Sequence, residues 1–192
     1  MNILNTDNKE KQLISALIEG EDSAYRHIIA KYREPVVRLC RGFTGSADDA
    51  EDLAQDIFIE VFRSIGRFKG RSSLSTWIYR IAVNKSINFV RDRSKRDHDD
   101  YASAAEIEGG DNGHSAEGRL VQKDHATALH RALDRLPESQ RTAFALSKYE
   151  DMSYSEIAGI MKTSVSSVES LLYRSKRNLQ KHLYDYYEKN MK

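Results

Sequence analysis

Ser153-Tyr154-Ser155-Glu156-Ile157-Ala158-Gly159-Ile160-Met161-Lys162-Thr163-Ser164-Val165-Ser166-Ser167-Val168-Glu169-Ser170-Leu171-Leu172-Tyr173-Arg174 is the stretch on which the fold class turns. Its first four residues match a capping box, in which a serine hydroxyl takes the N–H three residues on and the glutamate there takes the serine's own N–H. The pattern predicts a short helix over 154–161, a tight turn at Lys162-Thr163, and a second helix from 165 to about 185 that Ser164 caps. In the second helix Val165, Val168, Leu171, Leu172 and Leu179 form the apolar side, and Ser166, Ser167, Ser170, Arg174, Arg177 and Lys181 occupy the other. Ala158 is small enough for the two helices to cross closely. Small polar residues early and bases late suit a helix-turn-helix whose second helix reads DNA: serines can approach base edges, and later cations can hold phosphates. The plainer alternative is a helical hairpin with a charged outer face. Such turns commonly hold glycine, and a non-glycine residue in a left-handed turn, here Lys162, costs about 1 kcal/mol.

Outward from this motif the chain reads as helix almost throughout. It has only two prolines and few alternating β-branched runs. Pro137 opens a helix over 138–149, preceded by one over 119–135, and further helices are expected over 9–19, 21–33, 35–42, 47–65 and 72–95. The expected fold class is therefore all-α, with two small helical domains. Between the groups, residues 97–118 hold four glycines, seven acids, no lysine or arginine, and Ile107 as the one large aliphatic residue. Such a stretch cannot bury enough apolar area to offset its ordering entropy, which predicts a flexible acidic tether.

A formal net charge of +1 over 192 residues conceals segregation. From Arg63 to Arg96 ten bases stand against one acid, and from Asp97 to Gly118 the balance reverses. The single Cys40 cannot form an internal disulfide, which suits a reducing compartment. No apolar run approaches the roughly 20 residues that span a bilayer, and the polar start lacks a signal-peptide core. The expectation is a cytoplasmic protein with no membrane contact of its own.

Two surfaces in the N-terminal half are candidates for function. In Asp48-Asp49-Ala50-Glu51-Asp52-Leu53-Ala54-Gln55-Asp56-Ile57-Phe58-Ile59-Glu60-Val61-Phe62-Arg63-Ser64-Ile65, Ser46 is positioned as N-cap and the early acids suit the positive end of the helix dipole. Leu53, Ile57, Phe58, Val61 and Ile65 share the core side, yet Ile59 and Phe62 fall among Asp52, Gln55, Asp56 and Glu60. An apolar pair rimmed by acids suits protein docking, and a covering neighbour helix is the other explanation. After the basic turn Gly66-Arg67-Phe68-Lys69-Gly70-Arg71-Ser72-Ser73, the next helix gathers Arg80, Asn84, Asn88, Arg91 and Lys95 in one narrow sector with Trp77. Cations, amides and an indole together suit phosphate tracking, base-edge bonding and base stacking on single-stranded nucleic acid. Against that stands a core Trp77 beside a solvated charged face. Enzymatic chemistry finds little support: Asp124-His125 with His130, or His98-Asp99-Asp100, matches no common metal spacing, so neither a catalytic residue, a metal nor a cofactor is expected.

Three separated segments, in order, resemble the extracytoplasmic-function sigma factors of the sigma-70 family of bacterial RNA polymerase. They are Asp49 to Phe58, Ser75-Thr76-Trp77-Ile78-Tyr79-Arg80-Ile81-Ala82-Val83-Asn84, and Ser153 to Ala158 with Val168 to Arg174. The resemblance implies a region 2 domain over 1–96, a linker over 97–118 and a region 4 domain over 119–192. It implies that Asp52, Gln55, Asp56, Phe58, Ile59 and Phe62 meet the clamp helices of the largest polymerase subunit, the flap being a further polymerase contact. It assigns Lys69, Arg71, Trp77, Arg80, Asn84, Lys85, Asn88, Arg91 and Lys95 to −10 recognition and promoter melting, the loop from Lys69 to Leu74 capturing a flipped base. Ser166, Ser167, Ser170, Tyr173, Arg174, Arg177 and Lys181 fall to the −35 element. Lys162 and Glu169 depart from the usual pattern and leave that element's base preference open. The implied partners are core RNA polymerase, promoter DNA and an anti-sigma factor, with all chemistry done by the polymerase. A closed packing of the two modules is expected to mask the basic faces of the free chain. The competing possibility is a two-domain helix-turn-helix regulator that acts as a dimer and replaces no sigma factor.

Overall fold

The computed structural model of the chain describes residues 3–99 and 116–190, so the expected tether lies for its greater part outside the described residues. Among the described residues the fold is all-α: α1 (Ile3–Glu19), α2 (Asp22–Thr44), α3 (Ala47–Ser64), a 3-10 turn (Ile65–Arg67), α4 (Leu74–Asp99), α5 (Ala116–Asp134), α6 (Glu138–Tyr149), α7 (Tyr154–Met161) and α8 (Val165–Asn190). The local signals operate as their chemistry requires. Ser46 Oγ accepts the N–H of Asp49 at the start of α3, and Ser153 and Glu156 complete a reciprocal capping box at α7. Ser164 Oγ takes the N–H of Ser167 in the first turn of α8. Lys162 adopts the left-handed conformation, φ 54° and ψ 46°, in the turn between α7 and α8.

One expectation is corrected. The helices anticipated over 21–33 and 35–42 are a single helix, α2, which runs through Pro35. An internal proline costs about 3 kcal/mol through the lost hydrogen bond and ring clash. Beyond it, Val36, Leu39 and Phe43 are all buried, at 0, 0 and 3% exposure. At about 1.5–3 kcal/mol for each such side chain, keeping the helix continuous outweighs the break.

α2, α3 and α4 pack into the N-terminal bundle, with α1 laid against α2 and the 3-10 turn. α8 packs on α5, α6 and α7 to form the C-terminal unit. The two units do not keep separate interiors. One cluster of buried side chains runs from Leu17, Ile28 and Ile57 through Ile78 and Ala82 to Leu146, Ile157 and Val168, crossing where α2 meets α6 and α4 meets α7. A smaller cluster of Ala132, Leu133, Leu136 and Leu179 joins α5 to α8.

Candidate nucleic-acid interface

The strand-binding candidates sit on α4 and the turn before it. That turn exposes Arg67, Lys69 and Arg71, and Gly70 has φ 64°, a value that favours glycine. Ser73 Oγ accepts the N–H of Thr76 at the start of α4, and Glu10 of α1 takes the N–H of Leu74 at 2.7 Å. A carboxylate there satisfies an orphan donor at the positive end of the helix dipole, so α1 helps fix the angle at which α4 leaves the turn. Buried Leu74, Ile78, Ala82, Val83 and Ser86 hold the inner side of α4. Its outer side carries exposed Asn84, Asn88, Arg91 and Lys95 with half-buried Lys85.

Trp77 is neither fully core nor fully open. It is half-buried, packs on the edge of the core, and its ring lies 5.4 Å from that of Phe68. Its remaining surface lines a cleft of about 540 Å3 with Arg80, Ile81 and Asn84. The opposite wall of this cleft is not solvent but Ser139, Thr142, Met161 and Lys162 of the C-terminal unit.

On α3 the buried side is Leu53, Ile57, Phe58 and Val61, with Ile65 following it. Asp52, Gln55 and Asp56 are exposed, and Ile59 is 46% exposed among them. Phe62 is half-buried, stacked edge-on against Tyr25 at 4.6 Å and near Phe58 at 6.2 Å. Phe58 itself is 7% exposed and belongs to the core, so it shapes this face from beneath and presents no ring to a partner. A neighbouring helix thus covers much of Phe62 and leaves Ile59 open.

The outer face of α8, the candidate reading helix, is accessible. Ser166, Ser170, Arg174, Arg177 and Lys181 are exposed, Ser167 is half-buried, and Tyr173 is 69% exposed. Val168 and Leu172 anchor the inner side, and the buried Ser175 returns its hydroxyl to Leu172 O. Of the residues weighed as metal ligands, His125 contacts Tyr187 and His130 lies against Gly45, while the side chains of His98, Asp99, Asp100 and Asp124 lie outside the described residues. Among the described residues no three His, Cys, Asp or Glu side chains converge.

What sequence reasoning missed is how the units clasp. Each lends an arginine to a helix C-terminus of the other, where carbonyls carry partial negative charge. Arg141 of α6, 4% exposed, donates from Nη2 to Phe43 O at 2.6 Å in the last turn of α2, and its Nη1 pairs with Asp134 at 2.8 Å. Arg80 of α4 donates from Nη2 and Nε to Gly159 O of α7, at 2.6 and 3.2 Å. Between these, Glu150 Oε2 accepts from Tyr79 Oη at 3.0 Å and Arg38 Nη2 at 3.3 Å. Burial raises the Glu150 carboxyl above its ordinary value, against the opposing pull of the Tyr79 and Arg38 hydrogen bonds. At Gly42 a Cβ would stand 2.3 Å from the Tyr149 ring, so only glycine lets α2 and α6 approach this closely. A glycine inside the helical pattern is the one local sign of that contact.

The chain matches the Sigma-70 region 2 family over residues 28–96 and the Sigma-70, region 4 family over residues 126–179. It is 33% identical over 184 residues to the RNA polymerase sigma-H factor of Pseudomonas aeruginosa, covering 93% of this chain and 95% of that one. It is 28% identical over 173 residues to the ECF RNA polymerase sigma-E factor of Escherichia coli strain K12, covering 87% and 90%. Among solved structures, CnrH in complex with the cytosolic domain of CnrY aligns with a TM-score of 0.66 at 20% identity over 92% of this chain and 97% of that one. The sigma factor RpoE in complex with the anti-sigma factor NepR from Bartonella quintana aligns at 0.61 and 21% identity, over 83% and 96%. No helix among the described residues is long and apolar enough to cross a membrane. With an all-α fold, a helix-turn-helix and a basic-aromatic helix in the matched order, the chain belongs to the extracytoplasmic-function group of the sigma-70 family, sigma factors through which RNA polymerase initiates transcription at promoters.

Proposed function

We propose that this sigma factor divides its work between residues 1–96 and 119–192, joined by a tether over 97–118. The exposed row Asp52, Gln55, Asp56 and Ile59 on α3, with the open edge of Phe62 and Phe58 beneath it, docks on the clamp helices of the polymerase's largest subunit. Lys69, Arg71, Trp77, Arg80, Asn84, Lys85, Asn88, Arg91 and Lys95 bind the −10 element and hold its opened strand, Trp77 stacking a base. Ser166, Ser167, Ser170, Tyr173, Arg174, Arg177 and Lys181 read the −35 element from the major groove, while the flap secures the C-terminal unit. Two attachments through one tether raise effective concentration, so individually weak contacts select a promoter.

The observation that carries this reading is the pairing of opposite surfaces on consecutive helices. α3 presents acids around Ile59, and α4 presents cations and amides beside an indole. A small bundle with these faces can hold a protein on one side and an opened strand on the other.

The chain performs no chemistry in this reading and needs no cofactor. Cys40 fits that view: it is fully buried, its Sγ lies 3.9 Å from Ser86 Oγ, and burial pushes its thiol up to about 12, far from a reactive thiolate. An anti-sigma factor that covers the same faces is the natural antagonist; solved complexes of two structurally similar proteins with protein partners support this. The working compartment is the cytoplasm, where the polymerase is. Adding the purified chain to core polymerase on a library of its host's promoter fragments is expected to yield transcripts with discrete start sites. Absence of start-site selection in every fragment overturns the reading.

A further inference from the structure

α8 carries one side chain that the assigned readers do not account for. Between Val165 and Tyr184 Glu169 is the one acid, set among Arg174, Lys176, Arg177 and Lys181. It stands in the second turn of the helix, past the first turn where the dipole favours an acid, and Ser164 already caps the start. Nor does it belong to a ladder of ion pairs. Its neighbours along the helix surface are Val165, Ser166, Leu172 and Tyr173, none of them a cation, and it forms no hydrogen bond or ion pair among the described residues. The side chain is exposed on the outer face that holds Ser166, Ser170 and Tyr173, while Val168 and Leu172 are buried on the other.

An acid in this place works against a helix that merely grips phosphates, because it meets like charge as the helix enters the groove. A base edge that donates offsets that cost. A serine hydroxyl both donates and accepts, so Ser166, Ser167 and Ser170 fit any base and discriminate little. A carboxylate only accepts. Among major-groove edges guanine offers acceptors at N7 and O6, thymine an acceptor and a methyl group, and adenine sets an acceptor at N7 beside its N6 amino group. Cytosine offers the N4 amino group alone. We propose that Glu169 is a specificity-determining residue of the −35 contact, accepting from N4 of one cytosine and rejecting the other bases at that position. This rests on the assignment of α8 to that element. The serines and arginines around it seat the helix in the groove. Glu169 then selects by exclusion, since a wrong base leaves its carboxylate desolvated against an acceptor or a methyl group.

The test uses holoenzyme reconstituted from the full-length chain and its host's core polymerase, on a promoter found by the transcription assay and randomised in its upstream element. The parent should enrich cytosine at one position of one strand, and any other base there should lower binding about fivefold to a hundredfold. Glu169→Gln should turn the same position to adenine, whose N6 and N7 a carboxamide serves together. Glu169→Ala should bring the four bases there to within about twofold of one another and leave the other positions as they are. Both substitutions change an exposed side chain, and circular dichroism checks that helicity is kept. Removing a negative charge raises affinity for DNA by itself, so the deciding quantity is the ratio between cytosine and the best other base. A ratio that survives Glu169→Ala, or an affinity raised equally on every sequence, overturns the proposal, and an upstream motif still enriched by the parent then leaves the assignment of α8 intact. A parent that enriches no upstream motif removes that assignment, and the proposal with it.

Discussion

Trp77 and the acids of α3 lie on the same small bundle, and the proposed function gives them different partners, so their variants should fail differently. Reversing charge at exposed Asp52 and Asp56 sets like charge against whatever complements them, at a cost of several kcal/mol. Co-purification with core polymerase should then be lost while the chain keeps its helicity. Trp77→Ala should leave capture within about twofold but slow open-complex formation about tenfold or more, since a stacked base is worth about 1–3 kcal/mol. Permanganate footprinting of the −10 region measures that opening. If both variants capture enzyme and open DNA like the parent, the assignments fail. At this scale the sequence was most legible where a residue's role follows from its helix face. Leu53, Ile57, Phe58, Val61 and Ile65 share one face by spacing and are all buried. Phe62 was ambiguous because its cover, Tyr25, comes from a helix more than thirty residues away, and no local pattern reports that contact.

The elements owe their ends to local chemistry and their lengths to packing. The Ser153 capping box starts α7, an element of only eight residues that holds few intrahelical bonds of its own. Ser153→Ala should therefore destabilise the chain by about 1 kcal/mol. Lys162→Gly should act in the opposite sense, stabilising by up to about 1 kcal/mol because glycine takes φ 54° without the Cβ penalty. Thermal unfolding followed by circular dichroism reads both, and equal melting temperatures for the pair would refute the argument. Caps were legible because they depend on residues within a turn of each other. Continuity through Pro35 was not. It depends on Val36, Leu39 and Phe43 finding a shared interior with α3 and α4, and that burial outweighs the local preference to break.

Across the whole molecule the junction between the two units should respond to pH. His130 of α5 is packed against Gly45 and held below its ordinary 6.5, first by burial and further by Arg141 and Arg41, with Asp134 opposing. A histidine lowered in the packed state contributes stability that is fully present above 6.5 and is lost as pH falls from there toward its depressed value. Glu150, raised above 4.5 by burial, runs the other way: it favours closure at low pH and loses that contribution as pH rises through its raised value. Their sum alone cannot assign the effect, so the informative quantity is a difference. The drop in denaturant midpoint on acidification below 6.5 should be larger in the parent than in His130→Gln, and identical profiles would exclude His130 as the sensor. The sequence by itself determined the all-α class, the caps, the helix-turn-helix and the segregation of charge between α3 and α4, because each rests on residues a few positions apart whose spacing dictates which face they share. Only the tertiary structure decided that Arg80 points at Gly159 O, that Arg141 closes the end of α2, and that Gly42 admits Tyr149. These contacts join residues between 79 and 107 positions apart, which no local spacing brings together and only the interior shared by the two units does.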